Sequence, residues 1–260
     1  MLSNKFKVNY SVGAVANGVK TDTFTFFLLF FYSNIIGLNP GLAGSAIFIA
    51  LCIDAITDPL MGTISDRTNS SFGRRHPYMF ISFIPMSLGY ILLFAPRQEW
   101  DMSQTDLFIW MTIFTVITRI GMTLFDIPHR AFGGEVTKDY KERTILMSWR
   151  EMFAWVAGLS NAFLGYGVFF ASTPEFPQGQ LNPDVWFPFA LTGAAIMVFS
   201  VLYSSLSTKD EINSLSKWSG AISLKDIFNE LKIAIGNKSF LLFFFGNLFL
   251  SLAWGLSNSL

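Results

Sequence analysis

The sequence predicts an all-α integral membrane protein, and three observations support this fold class. Of the 260 residues, 52% are hydrophobic and only 14% are charged, whereas a soluble domain carries about 25% charged residues. Apolar stretches of about 20 residues recur, and each is long enough to cross a bilayer as a helix. No strand-like alternation competes, and hydrocarbon does not tolerate open sheet edges. A nucleic-acid-binding protein is excluded, and so is a secreted disulfide scaffold, because Cys52 is the single cysteine.

Seven membrane spans are predicted, separated by turn-rich or charged joints. They cover residues 10–37, 40–65, 77–96, 105–134, 144–172, 185–207 and 239–260, with ends defined to within a few residues. We expect three parts: a six-helix transmembrane bundle at 1–207, a linker at 208–238, and a seventh transmembrane helix at 239–260. The seventh helix would start a C-terminal bundle that this chain leaves incomplete.

The linker carries a helical pattern of its own. Between residues 224 and 235, apolar side chains follow one face of a helix, and charged or amide side chains face away. Ser223 followed by Asp226 resembles a capping box. We expect an amphipathic helix that lies on the cytoplasmic membrane surface and connects the two parts of the bundle.

The distribution of basic residues predicts the orientation. The N-terminus, the second-to-third joint, the fourth-to-fifth joint and the long linker together carry 13 Lys and Arg, whereas the alternate joints carry only Arg97. Cytoplasmic loops of membrane proteins have the excess of basic residues. The N-terminus and the linker are therefore predicted to be cytoplasmic.

Two carboxylates lie inside the second span. Asp54 and Asp58 are four residues apart and share one helix face, with Thr57 beside them. Pro59 has no N–H, so the carbonyl of Ala55 loses its helical partner. This oxygen-rich group suits a hard monovalent cation or one shared proton. The alternative is a carboxylate pair that arginines on neighbouring helices neutralise.

Further charges lie inside other spans. The fourth span carries a continuous polar stripe at i, i+4, i+7 and i+11, formed by Arg119, Thr123, Asp126 and Arg130. The fifth span has Arg150 and Glu151 in its second turn, and the first has Asn17, Lys20 and Thr21 on one face. Such stripes are tolerated only where they face a bundle interior or a water-filled cavity. Arg130 also has the alternative of extending to the cytoplasmic surface.

The joint between the second and third spans has a recognisable pattern. It contains a Gly-x-x-x-Asp-Arg run followed by Gly-Arg-Arg, formed by Gly62, Asp66, Arg67, Gly73, Arg74 and Arg75. This pattern resembles the cytoplasmic loop signature of the major facilitator superfamily, where it works as an electrostatic latch between two halves. The alternative is an ordinary basic cytoplasmic loop, which leaves the Gly and Asp spacing without a reason.

The second-span motif points to one family within that superfamily. The run DAITDPLMG at 54–62 resembles the second-helix motif of the glycoside–pentoside–hexuronide:cation symporters. The same family is matched in order and spacing by Thr123 before the run DIP at 126–128, by DYKERT at 139–144, by Arg150, and by YSVG at 10–13. The resemblance covers essentially the whole chain. It implies the N-terminal six-helix bundle of the major facilitator fold, followed by the start of the seventh helix.

The resemblance implies a transporter that works by alternating access, not an enzyme. Asp54, Asp58 and Thr123 match the positions that bind Na⁺, Li⁺ or a proton, with Thr57 where a familiar sugar-transporting member has Asn. Asp126 matches the carboxylate that accepts hydrogen bonds from sugar hydroxyls, and Arg150 is its cationic neighbour. The coupling ion is the only cofactor expected. The expected partners are a small sugar or glycoside and the lipid bilayer, in a bacterial inner membrane.

The chain departs from the sugar-transporting members at the substrate site. Gly18 stands where they have an acidic residue, and Asn17 where they have Lys. Arg130 stands where they stack the sugar on Trp, and Arg119 where a small residue is expected. We therefore hypothesise an acidic saccharide, bound by Asp126, Arg150, Arg130, Arg119, Lys20 and Asn17.

Two alternatives stay open at this point. A lysolipid-transporting branch of the same fold shares the second-helix motif. A truncated, non-transporting half is the other alternative, because the seventh span ends without a loop. An intramembrane aspartyl protease is excluded, since Asp54 and Asp58 share one helix and a Gly-x-Gly-Asp run is absent.

Overall fold

The computed structural model describes residues 1–210 and 236–259, and the side chains of 247, 248 and 251–259 are not part of the description. The chain divides into two compact units, Met1–Trp218 and Ser219–Leu260. Among the described residues there is no β-strand, which agrees with the all-α prediction. The expected amphipathic helix at 224–235 lies outside the described residues, so the linker and the boundaries on both sides of it stay predictions.

Residues 1–210 of the first unit form six long helical runs. The run α1 consists of consecutive segments at Asn4–Val12, Ala14–Asp22, Thr23–Phe27, Leu28–Phe30 and Phe31–Ile36, of which the third and fifth are π-helical. The others are α2 at Pro40–Arg67, α3 at His76–Leu93, α4 at Gln104–Glu135, α5 at Tyr140–Leu164 with a π-helical end at Gly165–Phe169, and α6 at Trp186–Ser207. Short 3₁₀ turns occupy Gln98–Trp100, Gly179–Leu181 and Pro183–Val185. The second unit contains α7 at Lys238–Ser259.

Five helices in the described part of the chain are long and apolar enough to cross a membrane. They are Pro40–Arg67, His76–Leu93, Gln104–Glu135, Tyr140–Phe169 and Pro183–Ser207, and they coincide with the predicted second to sixth spans. The run α1 covers the predicted first span, but its π-helical segments divide it into pieces shorter than a membrane-spanning α-helix. The predicted seventh span coincides with α7.

Side-chain caps decide where the helices begin. The fifth span was predicted to start at 144, but α5 starts at Tyr140 because Asp139 accepts a hydrogen bond from the N–H of Lys141 at 2.8 Å. Likewise α1 starts six residues before the predicted 10, where Ser3 Oγ accepts from the N–H of Phe6 at 3.1 Å. These starts extend the helices beyond their apolar stretches.

The helices of the first unit pack as two groups. Helix α4 packs against α2 and α3, whereas α1 packs against α5 and α6, and a contact between α3 and α6 joins the groups. Glycines permit the closest approaches: a Cβ on Gly121 would lie 2.3 Å from the Met86 nitrogen, and one on Gly18 would lie 2.1 Å from the Ala154 carbonyl oxygen. Small residues at such contacts are typical of membrane helix packing.

Aromatic side chains form the core at both ends of this unit. At one end, the buried Trp186 ring lies 4.5 Å from Phe170 and 5.2 Å from Phe31, centroid to centroid. At the other end, Tyr10 stacks on His129 at 4.2 Å and donates its hydroxyl proton to the His129 carbonyl oxygen at 3.1 Å. His129 is thus a packing residue between α1 and α4. The two ends hold the polar side chains of the middle in place.

Candidate functional site

The contact between α2 and α4 brings four of the predicted site residues together. Asp54 Oδ2 lies 2.6 Å from Arg119 Nε, and Thr123 Oγ1 donates to Asp58 Oδ1 at 2.7 Å. Both pairs join residues four positions apart on one helix to residues four positions apart on the other, because the two helices pack side by side. The predicted pair of Asp58 and Thr123 is in place, while Arg119 bonds to a carboxylate of the predicted cation site.

One carboxylate oxygen of this group has no hydrogen-bond partner. Asp54 Oδ1 is buried and has no hydrogen-bond partner. Thr57 Oγ1 donates to the Asp54 carbonyl oxygen at 3.5 Å, a contact within its own helix. Thr57 therefore lies beside the carboxylates without bonding to them. An unpartnered buried carboxylate oxygen beside Asp58 and Thr123 leaves hard oxygen donors for a cation.

A second charged network lies one turn further along α4. Asp126 accepts hydrogen bonds from Arg130 Nε at 2.7 Å and from a terminal nitrogen of Arg150. Arg150 also donates to Glu151 Oε1 at 2.5 Å, and Arg130 reaches the same oxygen at 3.6 Å. Two carboxylates and two guanidinium groups thus form a closed ring of ion pairs between α4 and α5.

The two arginines of this ring differ in exposure. The Arg150 side chain is 0% exposed, whereas that of Arg130 is 47% exposed. Arg150 is therefore a fixed structural partner of Asp126, and Arg130 presents part of its guanidinium group to open space. The predicted alternative, in which Arg130 extends to the cytoplasmic surface, stays open beside this contact with Asp126.

The predicted residues of α1, Lys20 and Asn17, differ in their contacts with these charged groups. Lys20 Nζ lies 5.7 Å from the centre of the Phe24 ring, and Arg119 Cζ lies 6.0 Å from that centre. The face of the Phe24 ring thus lies at cation–π distance from both cationic groups. Lys20 also interacts electrostatically with the carboxylates of α2 and α4. Asn17, in contrast, accepts a hydrogen bond from Thr21 at 3.4 Å on its own helix.

The formal charges of this polar region balance. It contains four carboxylates and four cationic groups, namely Asp54, Asp58, Asp126 and Glu151 with Lys20, Arg119, Arg130 and Arg150. With every group in its usual charged form, these formal charges sum to zero. A bound monovalent cation would add one positive charge to it, and a bound anion would compensate that charge.

The predicted latch residues form a network at the other end of α2 and α4. Arg75 bonds to Asp66 Oδ1 at 2.6 Å and to Glu135 Oε1 at 2.7 Å, and Arg74 bonds to the other oxygen of Glu135. Burial lowers the pKa of Arg75, although the charges of Asp66 and Glu135 oppose this shift.

The other three residues of the predicted latch lie in this loop or on α2 before it. Gly73 has φ of 74°, in the left-handed region that favours glycine. Gly62 lies on α2, where a Cβ would be 3.7 Å from the Ile127 side chain. Arg67 is the last residue of α2. The loop thus joins the ends of α2 and α4 through Glu135.

Three residues of these networks were missing from the predicted site. Glu151 could have been included, because it is a charge beside Arg150 in an otherwise apolar span. Glu135 was a weaker candidate, since it ends α4 far from the loop in sequence. Phe24 carried no distinguishing signal among the 29 Phe of the chain.

The chain is similar to known transporters. Residues 9–260 match the family described as MFS/sugar transport protein. The inner membrane symporter YicJ of Escherichia coli is 31% identical over 63% of this chain and 35% of its own length. The sodium-dependent lysophosphatidylcholine symporter 1-A of Danio rerio is 29% identical over 65% and 31%. The glucuronide carrier protein homolog of Escherichia coli is 25% identical over 63% and 35%.

These matches agree with the resemblance drawn from the second-helix motif. The matched segments cover 35%, 31% and 35% of these relatives, so the chain spans only part of their length. The family match, in contrast, extends over nearly all of this chain, and the relatives are transporters, not enzymes. The described helices have the all-α, multi-pass character that such transporters require. The chain therefore belongs to the MFS/sugar transport protein family.

Proposed function

We propose that the chain supplies the N-terminal part of a cation-coupled symporter for a sugar or glycoside that works by alternating access. The observation that carries this proposal is the position of Thr123 on Asp58, one helical turn from Asp126 and its two arginines. A cation group and a substrate group on adjacent turns of α4 share one helix. Binding at either one then changes the free energy of binding at the other.

The coupling cation binds at Asp54, Asp58 and Thr123, with Thr57 beside them. Asp58 contributes a carboxylate oxygen, Thr123 its hydroxyl oxygen, and Asp54 the buried oxygen that has no partner. Such oxygens suit Na⁺ or Li⁺, and one carboxylate alternatively takes a proton. Arg119 on the other oxygen of Asp54 limits the charge that this group offers to an added cation.

The substrate binds beside Asp126, Arg130 and Arg150, with Lys20 and Asn17 at the α1 side. Asp126 accepts hydrogen bonds from sugar hydroxyls, and the exposed part of Arg130 pairs with an acidic group. The polar region is neutral when empty, so a coupling cation leaves one excess positive charge for an anionic substrate. This balance favours an acidic saccharide, and a relative named as a glucuronide carrier homolog supports it. Arg119 contributes through Asp54, not through direct substrate contact.

The orientation and the latch complete the proposal. The network of Arg74, Arg75, Asp66 and Glu135 ties α2 to α4 at the end where the basic loops lie. With those loops in the cytoplasm, the N-terminus is cytoplasmic and the latch opens and closes the inner side. A bacterial inner membrane is the expected location.

Substrate uptake tests this proposal most directly. Cells that express the full-length gene product receive labelled neutral sugars, acidic sugars and lysophosphatidylcholine, in sodium and sodium-free buffers at several pH values. We expect cation-dependent uptake of an acidic saccharide and loss of that uptake in Asp58→Cys. The control Asp106→Cys, which changes an exposed carboxylate at the start of α4, should keep the uptake of the wild type. Cation-independent uptake that Asp58→Cys leaves unchanged would contradict the cation site.

A lysolipid is the second candidate substrate. The similarity to a lysophosphatidylcholine symporter favours it, because the second-helix motif does not separate the two branches. Ligand-induced shifts of the melting temperature distinguish them. Stabilisation by lysophosphatidylcholine and by no sugar would replace the saccharide in this proposal and leave the cation site standing.

A further inference from the structure

A second buried polar cluster lies between α1, α3 and α5, on other helix faces than the site above. Asn161 Nδ2 donates to Asp22 Oδ2 at 2.7 Å and to Thr23 Oγ1 at 3.1 Å. The hydroxyl oxygens of Thr23 and Tyr90 are 2.7 Å apart. The exposed fraction is 8% for Asp22, 3% for Asn161 and 0% for Thr23 and Tyr90. The proposed transport function uses none of these four residues.

Asp22 has no cationic partner within the residues that the structure describes. The hydrogen-bond donor to its carboxylate is the neutral amide of Asn161. Lys20 is two residues away, about 200° around the helix, and it interacts with Asp54, Asp58 and Asp126 instead. An ionised carboxylate in this position would stand alone in a medium of low dielectric constant, which is unfavourable.

The helices packed on Asp22 bring no other charge to it. On α3 the facing titratable group is the phenol of Tyr90, which interacts with Asp22 electrostatically. Helix α6, which also packs on α1, contains no Asp, Glu, Lys, Arg or His between Trp186 and Ser207. On α5 the charged pair Arg150 and Glu151 is about three turns from Asn161. The surroundings of Asp22 therefore favour its neutral form.

A separate observation shows where an added proton would bond. Asn161 Oδ1 is buried and has no hydrogen-bond partner. A protonated carboxyl group is a hydrogen-bond donor, which an ionised one is not. With Asp22 protonated, its O–H would be a donor beside the amide oxygen of Asn161, the buried acceptor that lacks a partner. The unpartnered amide acceptor thus matches a proton on Asp22.

We propose that Asp22, which accepts a hydrogen bond from Asn161, is a proton-binding site inside the helix bundle, separate from the pair Asp54 and Asp58. The proton adds to one carboxylate oxygen and leaves from it again, so no other reactant is needed. Asn161 also lines a mostly apolar groove of about 550 Å³ between α1, α5 and α6. The site is independent of the substrate.

Packing at this contact gives the proton a structural consequence. A Cβ on Gly158 would lie 3.6 Å from the Cβ of Asp22, and Gly18 contacts the Ala154 backbone one turn away. Helices α1 and α5 therefore meet closely around Asp22. Loss of the proton would create an unpaired charge in this tight contact and draw water into it, which loosens α1 from α5.

Infrared spectroscopy of the purified full-length gene product tests this site without any transport measurement. We expect the C=O stretching band of a protonated carboxylic acid at neutral pH, with the small shift to lower frequency that deuterium exchange causes. Asp22→Asn should remove the component that Asp22 contributes to this band, whereas Asp106→Asn, the matched change of an exposed aspartate, should leave the band unchanged. Equal bands in Asp22→Asn and Asp106→Asn, or a wild-type protein without such a band, would overturn the proposal.

A second variant keeps the test decisive if Asp22→Asn does not fold. In Asn161→Ala the carboxyl group stays, but its amide partner is removed, so the frequency of the band rises as the hydrogen bond is lost. An unchanged frequency in Asn161→Ala would also overturn the proposal. Both readouts are independent of uptake, so failure of the transport proposal and failure of this site are distinguishable.

Discussion

Buried carboxylates have different partners at two helix contacts of the same bundle. Between α2 and α4, Asp54 bonds to Arg119, and further along α4 Asp126 bonds to Arg130 and Arg150, so each has a cationic partner. Between α1 and α5, Asp22 has only the amide of Asn161. In the first contact Asp58 accepts only from the neutral hydroxyl of Thr123, but Arg119 lies on its neighbour Asp54. In our proposals the coupling cation binds at the first contact and a proton binds at the second.

The two contacts differ in the side chains that meet the carboxylates. Between α1 and α5, the side chain that meets Asp22 is the short neutral amide of Asn161, and the backbones touch at Gly18, one turn away. Between α2 and α4, the long guanidinium side chain of Arg119 reaches Asp54. Small residues at the first contact permit the close backbone approach.

Removal of Arg150 should break the first contact most strongly. Its buried guanidinium group is the fixed partner of Asp126, and loss of one member of a buried ion pair costs about 3–5 kcal/mol. We expect Arg150→Ala to lower the melting temperature in detergent strongly and to abolish substrate binding. Arg97→Ala, which changes an exposed arginine in a loop, is the control and should have no effect. A protein as stable as the control would contradict the role of this ring.

Enlarging Gly18 tests the second contact. A Cβ here would lie 2.1 Å from the Ala154 carbonyl oxygen, and overpacking of this kind costs about 1–3 kcal/mol. Gly18→Ala should therefore lower the melting temperature, and Gly18→Asp should do so further. The control is Gly44→Ala, because a Cβ at this exposed position of α2 meets nothing within 4 Å. Equal melting temperatures for the two alanine variants would show that α1 and α5 are not in tight contact.

Two arginine variants should separate cation binding from substrate binding. Arg119→Gln removes the cation on Asp54, so the affinity for Na⁺ should rise about tenfold, or about 1.4 kcal/mol. Arg130→Gln should weaken binding of the acidic saccharide by a similar factor and leave the Na⁺ affinity unchanged. Calorimetric titration of each ligand measures both effects. If uptake of the acidic substrate is unchanged in both variants, the proposed substrate class is wrong.

The smallest effect is expected at the latch. Glu135 is 34% exposed and pairs with Arg74 and the buried Arg75. Because Arg75 keeps Asp66 as a partner when Glu135 is changed, we expect a loss of about 1 kcal/mol, the upper end of the range for exposed pairs. Glu135→Gln should lower the melting temperature slightly, and high salt should have the same effect on the wild type. Glu175→Gln in an exposed loop serves as the control. If Glu135→Gln and Glu175→Gln have the same melting temperature, the ion pairs of Glu135 do not stabilise the latch.

The sequence placed the candidate site residues on shared helix faces and left open which side chains pair across helices. The shared helix face of Asp54 and Asp58 follows from their spacing, and the stripe through Thr123 and Asp126 follows from the periodicity of α4. Arg119 was expected to contact substrate because nothing in α4 alone reveals which residue of another helix it meets. The sequence shows that Gly18 stands where an acidic residue is expected. It does not show the contact between Gly18 and the Ala154 backbone, which leaves no space for a side chain.

The amino-acid sequence by itself determined the all-α membrane fold, the second to sixth spans and the polar helix faces. Hydropathy and the 3.6-residue period are local properties that any window of the chain displays. Only the tertiary structure decided which charges pair and which carboxylate stays alone. Asp54 and Arg119 are 65 residues apart, and Asp22 and Asn161 are 139 apart. Such partners are selected by how closely two helices pack, and that distance depends on the side chains of both helices at once.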